Sequence, residues 1–164
     1  MKKIVSLLSV ALVAMVMLIS CASENTKKGL ALMDAIKAND LAQVEQLTNE
    51  LVAVKDQLTG DETVAILTGA NFLINKYSQD ANAAKVQEYV NLFMSSFEGI
   101  SAKADAATAL ETSKKGGADF QAIYDAYKAQ IEAAAQAQAE AEAAAQEEAE
   151  EGDAEEEIEE VEAE

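Results

Sequence analysis

Cys21 is the only cysteine among 164 residues, and its thiol is the one soft nucleophile the chain offers. A thiolate is the reactive form of such a group. One cysteine leaves no internal disulfide and no multi-cysteine metal centre. No His is present, which removes the commonest general base and any Ser-His-Asp or Cys-His arrangement. The other candidates are weaker. Lys114-Lys115-Gly116-Gly117 could cradle a phosphate, but it lacks P-loop spacing and reads as an interhelical loop. Asp61, Glu62, Glu111 and Asp125 fall at helix starts or on polar faces, and no spacing pairs two of them as acid and base. Tyr77, Tyr89, Tyr124 and Tyr127 share the phase of apolar neighbours, which makes them core residues with hydroxyls at the rim before it makes them a ligand lining. The expectation is a protein that is not an enzyme, with no catalytic residues, no cofactor and no metal site.

The context of Cys21 is specific. Lys2-Lys3 precedes an uncharged run from Ile4 to Ile19, sixteen residues of mostly Leu, Val, Ile, Met and Ala. A basic start and a short apolar run describe a secretory signal peptide, whereas a spanning helix needs roughly 20 apolar residues. The run ends in Leu18-Ile19-Ser20-Cys21. This resembles the lipobox of bacterial lipoproteins: a branched apolar residue, a tolerant position, a small residue and then Cys. The resemblance covers about the first 21 residues. It implies a diacylglyceryl thioether on Cys21, cleavage between Ser20 and Cys21, and acylation of the new amine. Leu18 would fill an apolar subsite of the peptidase, and the small Ser20 would let the scissile bond approach. Each buried CH₂ contributes ~0.8 kcal/mol, so two or three chains make an anchor with negligible release. In proteobacterial lipoproteins an Asp after the Cys retains the protein at the inner membrane. Ala22 lacks that signal, so the resemblance points to the outer membrane. Some lipoproteins of Bacteroidota have a similar leader and carry acidic residues after the Cys for surface export. Glu24 followed by Lys27-Lys28 leaves the periplasmic and surface faces both open.

Charge divides the remainder. Residues 22–128 hold 15 acids against 10 Lys, while residues 129–164 hold 15 acids and no Lys, within a formal net charge of −18. No basic surface can be assembled to neutralise phosphates, so a nucleic-acid partner is excluded. The expected organisation is a signal peptide over 1–20, a helical body over 21–131 and an acidic low-complexity tail over 132–164.

Apolar spacing in the body is helical and no segment alternates as a strand does, so the expected fold is all-α: a small helical bundle of about five to six helices followed by an acidic Ala/Glu-rich tail. The first helix covers about 27–38 with Leu30, Met33 and Ile36 inward. After Asn39-Asp40, where Asp40 and Gln43 resemble a capping box, a second helix near 41–58 carries the seam Val44, Leu47, Leu51, Val54, Leu58, three and four apart as in a coiled coil. Thr59 and Glu62 form another candidate box before a third helix, deeply buried through Val64, Ile66, Leu67, Leu73, Ile74 and Tyr77. Asp80 should cap a fourth helix with the stripe Val86, Tyr89, Val90, Phe93, Phe97, Ile100. An Ala-rich helix follows over 100–113, then a loop at Ser113–Gly117. Asp119 should cap a last helix burying Phe120, Ile123, Tyr124, Tyr127 and Ile131. Asp40, Asp80 and Asp119 lie about forty residues apart, as in a tetratricopeptide-like array, but no further pattern aligns and a recurring N-cap suffices.

In the tail, 13 Ala favour helix, while Glu147 and Glu151 repel and Gly152-Asp153 should end it, leaving a disordered Glu-rich end. A solvated tail without specific ligand is expected, and no EF-hand spacing supports tight calcium binding. The functional expectation is an envelope lipoprotein, bound to the membrane through acyl chains on Cys21 and acting on an unknown envelope protein partner or as a spacer. The alternative is a periplasmic or surface carrier enclosing a small apolar ligand; a co-purifying ligand or a ligand-dependent melting shift separates the two.

Overall fold

The computed structural model describes residues 23–161, with side chains described through residue 142. The chain is all-α, a small helical bundle: α1 Glu24–Ala38, α2 Leu41–Val52, a 3₁₀ turn Lys55–Gln57, α3 Gly60–Gln79, α4 Ala83–Ile100, α5 Ala106–Lys115 and α6 Phe120–Val161. No strand occurs among the described residues. One compact unit ends at Asp125 and a second begins at Ala126.

The first unit is built around α3, which packs against α1, α2, α4 and α5. Its sequence has few polar residues in the first four turns. Ala65, Ile66, Leu67, Ala70 and Leu73 are each wholly shielded from solvent. Side chains of Leu or Ile size contribute about 1.5–3 kcal/mol each when fully buried, so α3 supplies much of the driving force. The close approach of its neighbours depends on small residues. A Cβ on Gly29 of α1 would already touch Ala65 Cβ at 3.4 Å. One on Gly69 would collide with Thr48 Oγ1 of α2 and come within 3.2 Å of Leu32 Cδ2.

This close packing rotates α1 from its expected phase. Gly29, Leu32 and Ala35 are buried, while Leu30, Met33 and Ile36 flank the interface half-buried. Gly29 and Ala35 flank the fully buried Leu32 on this buried line, and the other bulky side chains seal its edges. α1 ends on Asn39, whose φ of 56° is left-handed, and the Asn39 and Asp40 amides return to Ile36 O and Ala35 O, both at 3.0 Å. Asp40 then caps α2, its Oδ1 accepting from Gln43 N at 3.1 Å.

The second helix is shorter than its sequence suggests. Val44, Leu51 and Leu58 of the expected seam are buried and Leu47 and Val54 are half-buried, yet α2 stops at Val52. No Gly or Pro forces the stop. A distant residue supports the turn that follows: Lys103 Nζ donates to Lys55 O at 3.0 Å and Asp56 O at 3.2 Å, both in the 3₁₀ segment. Thr48, outside the expected seam, is fully buried.

The α3–α4 junction corrects another expectation. Asp80 ends α3, its amide bonding Lys76 O at 3.2 Å, and Asn82 caps α4 by accepting from Lys85 N at 3.2 Å. Ala81, with φ 54°, occupies the intervening turn. The forty-residue recurrence of capping aspartates therefore fails at its middle member. The α4 stripe holds, with Tyr89, Val90, Phe93, Phe97 and Ile100 buried and Val86 half-buried. α5 begins later than expected and extends through Lys115, so the turn is confined to Gly116 and the residues after it, with Gly117 at φ 96°. Asp119 caps α6 through Ala122 N at 3.2 Å. Phe120 is buried and Ile123 and Tyr124 half-buried.

In the second unit Tyr127 is buried, but Ile131, expected inward, is 41% exposed. The helix also continues past Gly152-Asp153 to Val161. A glycine costs a helix only about 1 kcal/mol relative to Ala, and the Ala- and Glu-rich flanks favour the helical form.

Candidate functional site

The signal-peptide and lipidation residues Leu18, Ser20 and Cys21 lie outside the described residues. The structure does describe what immediately follows them. Ser23, two positions beyond Cys21, is the N-cap of α1 and accepts from Thr26 N at 3.0 Å. Its hydroxyl donates to Glu62 Oε1 at 2.5 Å, and Thr26 Oγ1 donates to the same oxygen at 2.8 Å. Glu62 is buried and also completes a capping box at the start of α3: Thr59 N donates to Glu62 Oε2 at 3.0 Å, and Glu62 N donates to Thr59 Oγ1 at 3.2 Å. Burial alone would raise this carboxyl, but the hydrogen bonds from Ser23, Thr59 and Thr26 outweigh it and hold it below the usual range.

The same end of α3 has a second carboxylate. Asp105, at the start of α5, accepts from Gly60 N at 2.7 Å and from Asp61 N at 3.3 Å. It caps α3 from 45 positions away, and the Gly60 amide is the main cause that holds its carboxyl below the usual range. Asp61 is pushed the other way, by burial first and then by the charges of Asp105 and Glu62.

At the far end of α3 a polar cluster joins three helices. Glu45 of α2 accepts from Tyr77 of α3 and Tyr89 of α4, both at 2.8 Å, and from Lys85 Nζ at 2.9 Å. The Tyr77 and Tyr89 rings stack nearly parallel at 5.9 Å, and Lys85 Nζ stands 5.6 Å from the Tyr89 ring centre and 3.1 Å from Glu88. The Lys85 bond is the chief cause lowering the Glu45 carboxyl, aided by the two phenols against the cost of burial. Burial first, then the Glu45 hydrogen bond, raises both Tyr77 and Tyr89. Tyr77, Tyr89 and Lys85 all donate to the one Glu45 carboxylate, so the arrangement fastens the helices together.

The tyrosines therefore divide. Tyr77 and Tyr89 meet at Glu45. Tyr124 stacks on Phe97 at 4.6 Å and donates to Glu98 at 2.8 Å. Tyr127 belongs to the second unit, its phenol pushed up to about 12 by burial. Lys114, in the last turn of α5, pairs with Asp119 at 3.0 Å across the turn at 114–117 that could have cradled a phosphate. Asp125 accepts from Gln121 at 3.0 Å. Sequence reasoning passed over Ser23, Thr26 and Glu45. The Ser-x-x-Thr spacing of an N-cap pattern after Cys21 was the available signal for the first two. For Glu45, the signal was a carboxylate bordering the Val44 seam.

No family model, curated protein or solved structure matches the chain. Among the described residues no helix is long and apolar enough to cross a membrane.

Proposed function

We propose that this chain is a lipid-anchored lipoprotein of the bacterial envelope, whose helical body works by contact with an envelope protein or as a spacer rather than by catalysis. One observation carries the reading: the only cysteine closes a basic-then-apolar leader in Leu18-Ile19-Ser20-Cys21. Thioether acylation needs a soft nucleophile at that point. The helical body is in keeping with the reading because its capped start at Ser23 lies two residues beyond Cys21, on the retained side of the cleavage point. Ala22 lacks the inner-membrane retention signal of the lipoproteins this leader resembles, which favours the outer membrane.

Mass spectrometry of the mature N-terminus from the native host tests the proposal. The expected product starts at Cys21 and carries two or three acyl chains, and Cys21→Ala should accumulate as an unprocessed, unlipidated precursor. An intact Met1 with a free thiol would overturn it. Crosslinking in intact cells should then capture a protein partner.

A further inference from the structure

We infer that the end of the bundle formed by the starts of α1 and α3 rests directly on the phospholipid headgroups, in a fixed orientation with the Glu45 end outward. This inference relies on acylation of Cys21. It adds that the acylated residue is joined to the body with almost no slack. Two residues span at most about 7 Å, so Ser23 must lie within that reach of the lipid-bearing residue. Ser23 is itself held: it caps α1, donates to the buried Glu62, and its carbonyl accepts from Lys27 N at 3.1 Å. Glu62 is fixed in turn by Thr26 and Thr59.

The surface around this junction is compatible with headgroups. Lys103 bonds the carbonyls of Lys55 and Asp56, and Asp105 caps Gly60, so residues 55–61 and 103–105 share this end with Ser23. At this end Lys27, Lys55 and Lys103 stand against Glu24, Asp56, Asp61, Glu62 and Asp105, with Glu62 turned inward onto Ser23, Thr26 and Thr59. A lysine-bearing face with only a small acidic excess can approach phosphates that would repel the −15 segment 129–164. α3 has 20 residues and rises about 30 Å from this end, which sets the distance of the α3–α4 turn.

The consumed thiol of Cys21 makes the test simple, because an added cysteine is then the sole free thiol. K55C at the near end and A84C at the far end, both at exposed positions, are made in the full chain and purified from the native host. Each is labelled with a donor dye and reconstituted into phosphatidylethanolamine/phosphatidylglycerol vesicles carrying a headgroup acceptor. Transfer efficiency should be at least about threefold higher from K55C than from A84C, given the ~30 Å rise of α3. Inserting about ten Gly/Ser residues between Ala22 and Ser23 should erase the difference, since such a linker is a flexible coil. Equal transfer from both positions in the acylated protein, or a difference the spacer leaves intact, would overturn the inference while leaving the lipoprotein reading in place. An unmodified Cys21 and no vesicle association would overturn both.

Discussion

Glu62 ties three segments together with one carboxylate: Ser23 two positions beyond Cys21, the first turn of α1 and the start of α3. Hydrogen bonds to a charged group contribute about 1.5–3 kcal/mol each when shielded, and glutamine keeps the shape but loses the charge. Glu62→Gln should therefore lower stability by about 1–3 kcal/mol in urea unfolding, with the mutant's loss shrinking below pH 4 as the native carboxyl protonates. A mutant as stable as the native chain at pH 7 would show that the carboxylate is idle. Gly69 invites a different experiment. Alanine is the better helix former by about 1 kcal/mol, yet here its Cβ meets Thr48 Oγ1. Gly69→Ala should lower stability by ~1–2 kcal/mol net. Thr48 Oγ1 has no hydrogen-bond partner, so Thr48→Ala sacrifices no bond, and the double variant should recover most of the loss in a mutant cycle. Half of the Glu62 site was readable beforehand, because Thr59-x-x-Glu62 is a local spacing. The other half spans 36 to 39 positions, and no local rule reports a partner that far away.

Helix existence was legible along the whole body, because Gly is sparse, Pro is missing and apolar residues recur three and four apart. What periodicity could not supply were phase and ends. α1 presents Gly29 to α3 because backbone proximity matters more there than side-chain size, and a hydrophobic count cannot weigh that. α2 gives way to a 3₁₀ turn whose carbonyls Lys103 reaches, a decision made some fifty residues downstream. The start of α3 likewise borrows a cap from α5. Asp105→Ala should cost about 0.5–2 kcal/mol, the usual toll of a lost N-cap, and should be read by thermal melting. In α6 the expected inward stripe fails at Ile131, which is exposed. Truncation after Gln130 should accordingly shift the melting temperature by less than about 2 °C, whereas a loss like that of a core Leu→Ala change would mean the acidic segment packs.

Across the molecule, ionisation couples the ends of the bundle to pH. Glu45, Glu50, Glu62, Asp105 and Asp119 are all held below their ordinary carboxyl values, chiefly by hydrogen bonds from Lys85, from Gln46, from Ser23 and Thr59 against burial, from Gly60 and from Lys114. A group whose folded value is depressed stabilises fully above its unfolded value and loses that contribution as pH falls through the folded one. Asp61, raised by burial and its acidic neighbours, runs opposite, since protonation relieves it. Five against one, melting temperature should be nearly level from pH 7 to about 5 and fall below about pH 4. A melting temperature that rises on acidification to pH 3 would contradict this assignment. The pinned Ser23 has one more effect, which is mechanical. Any tug arriving along the chain from the leader side meets Ser23 first, and the short bonds onto Glu62 must snap before Gly29 and Leu32 can be peeled from α3. The molecule thus has a brittle link set ahead of its apolar packing, so a pulling trace should open with a sharp, short-extension break and not a gradual yield.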